Sequence, residues 1–161
     1  MSSSTKLEGD FLPVEIRGYN TKSMITYSEY AVIATDPTRK IIAVGKEAFK
    51  YIDAVDRIAE GDISVFSTFK RNVVAEFYET VAVMKLIYKE IIIGVKHKIF
   101  KPTVAVCIPF ELTGVEKKAF EEVFIMAGAK NATILKLDFE DNKSELGNSY
   151  NIVIGIIPNK L

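Results

Sequence analysis

The chain has 161 residues, 48% hydrophobic and 26% charged, the make-up of one globular domain and not of a disordered segment. Its 21 basic and 21 acidic side chains cancel, so no general field draws it to nucleic acid, and no nucleic-acid partner is expected. One cysteine, Cys107, excludes an internal disulfide and any multi-cysteine zinc site.

Residues 1–10 (MSSSTKLEGD) are small and polar without periodicity. They are expected to form a flexible N-terminal tail, with 11–161 as a single domain. No apolar core of signal-peptide length opens the chain. Its most apolar run, Ile91 to Val95, is far short of the about 20 residues that cross a bilayer. A cytoplasmic protein without a membrane span is therefore expected.

Phe11 to Arg17 alternates weakly as a strand does, and Gly18-Tyr19-Asn20 reads as a turn. Ser23 to Tyr27 and Tyr30 to Thr35 are rich in strand formers. Asp36-Pro37-Thr38-Arg39 is a second turn, because Pro37 presets φ and Asp36 can bond the backbone ahead of it. Lys40 to Val44 completes a hairpin, and Lys46 to Ile52 reads as a short helix. This predicts an antiparallel meander for the N-terminal third.

Val73, Phe77, Val81 and Met84 recur at helical spacing, which predicts a long helix over Thr68–Tyr88. Thr103 to Ile108 is a continuous apolar run, the signature of a strand covered on both faces. Thr113-Gly114-Val115-Glu116 matches a capping box, and it opens a second helix over Gly114–Ala127. The stripe of that helix is Val115, Ala119, Phe120, Val123, Phe124 and Ala127, and Gly128 suits its C-terminal cap. Ala132 to Leu137 is another strand, Asp138 to Ser149 reads as a loop, and Asn151 to Ile157 is the last strand. The fold class is α/β: a mixed sheet of about five strands with two main helices, an element order that resembles the ribonuclease H-like topology used by actin-type ATPase halves.

Two blocks carry a family resemblance. Lys101-Pro102-Thr103-Val104-Ala105-Val106-Cys107-Ile108-Pro109 is followed by Leu112-Thr113-Gly114-Val115-Glu116-Lys117-Lys118-Ala119. Glu29 to Asp36 precedes Lys40 to Gly45 with Glu47 and Ala48. The first resembles the strand ending in Val-Pro and the Ile-Thr-x-Val-Glu-x-Arg-Ala helix start of the MreB family, the bacterial actins that determine rod shape. The second is similar to that family's N-E-P-S-V-V-A-I-D and K-V-L-A-V-G-E-E-A. The matches run over most of Glu29 to Leu137. The resemblance implies an actin-like subdomain, IA, without the second half that closes over the nucleotide.

The resemblance also implies where phosphate-binding residues belong. The family's hairpin Asp-x-Gly-Thr-x-x-Thr falls on Asp10 to Ile16. Asp10 keeps the acid, but Leu12 stands for the glycine, Pro13 for a threonine and Ile16 for the last threonine. A proline nitrogen has no hydrogen to give a phosphate. The acid of the family's G-V-I-A-D-F is Val65 here, with Asp62 three residues away. The second phosphate loop, Asp-Ile-Gly-Gly-Gly-Thr, is echoed only by the strand around a lone Gly155. Glu116 matches the glutamate that positions the attacking water, although the capping box with Thr113 also accounts for it.

Other constellations are sparse. His97 is the only histidine, so no histidine pair marks a metal, and no metal site is expected. Cys107 inside an apolar strand reads as an inert core thiol. A nuclease reading needs clustered carboxylates for two Mg²⁺ ions; Glu15, Asp36 and Asp62 are the nominees.

The expected function is a non-catalytic actin-like interaction module without a cofactor, linked to bacterial cytoskeleton or cell shape. Its partner would be itself or a cell-shape protein. The alternative is an ATP-binding or ATP-hydrolysing protein, with ATP and Mg as cofactors, for which Asp10 and Glu116 are the candidates. The apolar final strand, through Ile152, Ile154 and Ile156, is the candidate contact surface if it lies at a sheet edge.

Overall fold

The computed structural model describes residues 13–55, 63–92 and 101–158. Ten strands are present among them: β1 Glu15–Asn20, β2 Thr26–Tyr30, β3 Val32–Thr35, β4 Ile41–Val44, β5 Ser64–Ser67, β6 Phe69–Lys70, β7 Val73–Val74, β8 Thr103–Cys107, β9 Asn131–Leu135 and β10 Ile152–Ile157. A 3-10 turn, Gly45–Phe49, runs into α1, Lys50–Val55. The other helices are α2 Phe77–Ile91, α3 Gly114–Ala127 and α4 Phe139–Leu146.

The main sheet has the order β2-β1-β10-β8-β9. β10, β8 and β9 run parallel, while β1 is antiparallel to β10 and to β2. A smaller antiparallel sheet, β4-β3-β5, and the β6–β7 hairpin complete the strands. The N-terminal meander is thus divided between two sheets.

Apolar residues line both faces of the central strands. On one face Ile16, Val104, Val106, Ile152, Ile154 and Ile156 meet Met84, Ile87, Phe120 and Phe124 of α2 and α3 in the largest core cluster. On the other, Tyr19, Cys107 and Val153 meet Phe139 of α4. Strands buried on both faces need no polar alternation, hence the continuous apolar runs in β8 and β10.

Four sequence expectations are corrected. Gly18, Tyr19 and Asn20 lie in β1, and the turn comes after them. A side chain at Gly18 would meet Ile87 Cγ2 at 2.7 Å, so the glycine lets α2 close on the sheet. Asn20 then organises the true turn: its Oδ1 accepts from the Lys22 and Ser23 amides, and its Nδ2 donates to Ile91 O at the end of α2.

The helix expected from Thr68 starts only at Phe77. Arg71 and Asn72 both have positive φ, 53° and 65°, the two-residue geometry that turns a hairpin, so Val73 and Val74 are strand residues. The stretch from Asp138 is helical: the Asp138 side chain accepts from the Asp141 amide at 3.0 Å and caps α4. That helix touches the sheet mainly through Phe139, so its sequence carries almost no apolar stripe.

The fourth correction concerns the candidate contact surface. Ile152, Ile154 and Ile156 are 1%, 0% and 1% exposed, in the centre of the sheet and not at its edge. With β1 on one side and β8 on the other, the backbone of β10 has no free edge.

Candidate functional site

Glu116 sits in the first turn of α3, which begins just after β8. Its Oε1 accepts from the Thr113 amide at 2.9 Å, and the Thr113 hydroxyl accepts from the Glu116 amide at 3.1 Å. Both halves of the capping box are therefore formed, as the spacing predicts. At the other end, Gly128 takes φ 133° and the Ala129 amide donates to Phe124 O at 3.0 Å. A left-handed C-terminal cap closes α3 where the sequence places it.

The described residues among the remaining phosphate-site candidates do not converge on Glu116. Ile16 is 0% exposed and points into the α2–α3 core. Val65 is buried in the small sheet with Val32, Ala34 and Ala48. Asp10, Leu12, Asp62 and His97 lie outside the described residues. Of the nuclease carboxylates, Glu15 is paired with Arg17. Asp36 bonds the Thr38 and Lys40 amides in its own turn, which holds it below the usual carboxylate range after the stronger pull of the Thr38 hydroxyl. Among the described residues no three His, Cys, Asp or Glu side chains are grouped to hold a metal ion.

Cys107 is fully buried, and burial, helped by the nearby Asp138 charge, pushes its thiol up to about 11. A thiol that keeps its proton is a poor nucleophile.

Two features were not anticipated from sequence. The first is a groove of about 350 Å³ between the outer face of β1 and β2 and helix α4. Arg17 there donates to Glu15 at 2.9 Å and Glu140 at 2.8 Å, and Lys143 donates to Glu140 at 3.0 Å. Lys143 and then Arg17 hold the Glu140 carboxyl below its usual range. Two acids and two bases satisfy one another, so the groove offers no unpaired charge for a ligand. Lone charged residues in a polar loop gave no signal for it, because the pairing spans more than a hundred residues.

The second is Glu29, which is 2% exposed. Tyr27 Oη donates to it at 2.6 Å, and the amides of Tyr30 and Lys46 donate at 3.1 and 2.6 Å. Burial first, and then this carboxylate, push the Tyr27 hydroxyl well above its ordinary value. The Glu29 side chain lies against Gly45, at φ +69°, where a Cβ would collide with it. One carboxylate thus stitches β2 to the turn after β4, the two stretches that make up the second resemblance block.

The sequence model of the MreB/Mbl protein family matches residues 10–143. The chain belongs to the MreB/Mbl family. The cell shape-determining protein Mbl of Bacillus cereus (strain ATCC 10987 / NRS 248) is 33% identical over 107 residues, which are 66% of this chain and 30% of that protein. Mbl of Bacillus subtilis (strain 168) is 32% identical over 108 residues, 66% of this chain and 31% of that one. This MreB/Mbl chain therefore matches about a third of the length of these relatives.

Crystal structures of MreB5 of Spiroplasma citri share the fold. The ADP-bound form aligns with TM-score 0.59 and 22% identity, covering 77% of this chain and 35% of that one. The AMPPNP-bound form gives 0.60 and 23%, covering 76% and 35%. The actin-like α/β architecture is thus established for this family member, with α4 in addition to the two main helices and the short one expected. No helix among the described residues is long and apolar enough to cross a membrane.

Proposed function

We propose that this MreB/Mbl-family chain acts by contact and not by turnover, as a non-catalytic actin-like module of cell shape that binds itself or a cell-shape protein. The observation that carries this reading is the place of β10. A phosphate hairpin over Asp10 to Ile16 needs the strand that leads into Asp10 to pair with the strand that it runs into, which is β1. Both edges of β1 are taken, by β2 and by β10. An upstream strand has no edge of β1 left to join.

The side chains support the same reading. Pro13 has no amide hydrogen, Ile16 faces the core, and Val65 offers no carboxylate. Glu116 already serves the helix cap. These residues do not fit a nucleotide phosphate.

The contact surface moves from β10 to α3. Val115, expected to face inward, is 82% exposed, and Met126, about three turns later on the same face, is 53% exposed. Ile125 adds a further 48%-exposed side chain. Large apolar side chains gathered on one helix suit a protein contact.

Thermal unfolding with millimolar Mg-ATP tests the reading. Binding at 100 times Kd would add about 2.7 kcal/mol of stability. No shift, with no phosphate release above a Glu116→Ala control, is the expected result; a shift with steady hydrolysis restores the ATPase alternative. Light scattering on the wild type and on Val115→Lys tests the contact. Association lost in the variant is expected, and a wild type that stays monomeric at high concentration and recovers no cell-shape partner defeats the reading.

A further inference from the structure

The family match ends at residue 143, yet the central strand of the main sheet is β10, Ile152–Ile157, beyond that match. No backbone ladder joins β1 to β8 directly; every one between the β2–β1 pair and the β8–β9 pair runs through β10. Without β10 the main sheet falls into two separate two-stranded pieces, β2–β1 and β8–β9. Two-stranded pieces are marginal by themselves.

We infer that residues 147–158 are a built-in donor strand that fills a one-strand slot left open by the family-matched part of the chain, and that the matched part folds only with this slot filled. The fit has three components. Six residue pairs zip β10 to β1, from Glu15↔Ile157 to Asn20↔Ile152, and four more zip it to β8. Ile152, Ile154 and Ile156 enter the α2–α3 core while Val153 enters the α4 cluster, so both faces of the slot demand apolar side chains.

Gly155 is the exception on the α4 side. A Cβ there would overlap the Phe139 ring, so the slot is shaped for a residue without a side chain at that point. The lone glycine of this strand thus has a packing reason.

Register is set at the start of the strand. Asn151 Oδ1 accepts from the Thr103 amide at 2.9 Å and from its hydroxyl at 3.0 Å, and the Asn151 amide donates back to Thr103 Oγ1 at 3.1 Å. Thr21 Oγ1 donates to the carbonyls of Tyr150 and Asn151 at 2.8 and 2.9 Å. The strand is therefore pinned to β8 and to the β1–β2 turn before its apolar residues enter. A slip of one residue would send every side chain to the wrong face.

Hydrogen exchange on the intact chain tests this. Amides of β10 are expected to exchange in the same slowest class as those of β1 and β8, by global unfolding. Exchange in β10 more than about tenfold faster than in β8 means that the strand leaves while the rest stays folded, and overturns the inference.

A second measurement uses the full chain with a protease site inserted between Asn148 and Ser149, both exposed. After cleavage the short C-terminal piece is expected to co-elute with the large one in native buffer. If it separates, the large piece must lose its cooperative thermal transition for the inference to stand. A large piece that keeps that transition alone refutes it. This inference shares with the contact reading the place of β10, but the ATP and light-scattering measurements read that proposal out separately, so failure here and failure there are distinguishable.

Discussion

Helix α3 and the β1–β10 seam are neighbours in space but are built on opposite principles. Each signal that makes α3 lies within four residues of the helix: Thr113 and Glu116 at one end, Gly128 at the other. The seam joins residues 20 and 152, and nothing local marks either as the other's partner. The local element kept the family's form, down to the glutamate. The long-range one depends on β10, which lies beyond the residues that the family model matches. A helix of this kind stands on its own signals, while an arrangement built from distant segments depends on every one of them.

The contrast is broken most forcefully at the seam. Ile154→Lys puts a charge into the middle of the core, with no partner nearby, and should cost on the order of 4 kcal/mol or more. Urea denaturation is expected to find the variant largely unfolded. A folded Ile154→Lys protein would mean that the strand is not central. On the opposite face, Phe139→Ala removes the ring that covers Gly155 and should cost about 3 kcal/mol.

A pH series sharpens the same seam. The Cys107 thiol keeps its proton to about 11 in the folded chain, against an ordinary 9.0. Raising the pH through that window ionises the thiol in the unfolded state first, which favours unfolding. The stability is whole below pH 9 and falls towards pH 11, by on the order of 2 kcal/mol for this group. Urea midpoints measured across the window should fall less steeply in Cys107→Ala; identical slopes would contradict the buried thiol.

Helix α3 should respond more weakly. Thr113→Ala removes a cap bond and is expected to cost about 1 kcal/mol, whereas Glu116→Gln can still complete the box and should change little. A glutamine variant that abolished a measurable ATPase would give Glu116 a catalytic role after all. Smallest in stability is Val115→Lys, within about 0.5 kcal/mol because the side chain touches mainly solvent. Its effect should appear only in light scattering.

Several elements were legible in the sequence for definite reasons. Gly114–Ala127 was predicted to the residue because both its caps are chemical. The turn at Asp36 was legible because its own side chain makes the bonds that form it. The false helix start at Thr68 has an equally definite cause. Val73 and Phe77 sit at helical spacing, and that coincidence hid a hairpin decided by Arg71 and Asn72. Helix α4 was missed because a helix that rests on Phe139 carries no stripe to detect.

The candidate site was legible only as a set of departures. Pro13, Ile16 and Val65 could be recognised as ill suited to phosphate from their chemistry alone. The central place of β10 could not, and neither could the ion-pair groove of Arg17 and Glu140 or the clamp of Glu29 on Lys46. Each joins segments whose sequence neighbourhoods are unrelated.

Sequence by itself determined that the chain is an α/β domain of the MreB/Mbl kind, that α3 begins at a capping box, and that Ile152 to Ile157 is an apolar strand. Local propensity, capping and hydrophobic period act over a few residues, so they can be read from a few residues. Only the tertiary structure decided that this strand is the centre of the sheet and not its edge, and that Val115 faces out while Ile154 faces in. Strand order is set by which edges remain unpaired once the whole chain has collapsed, and that competition among distant segments has no local signature.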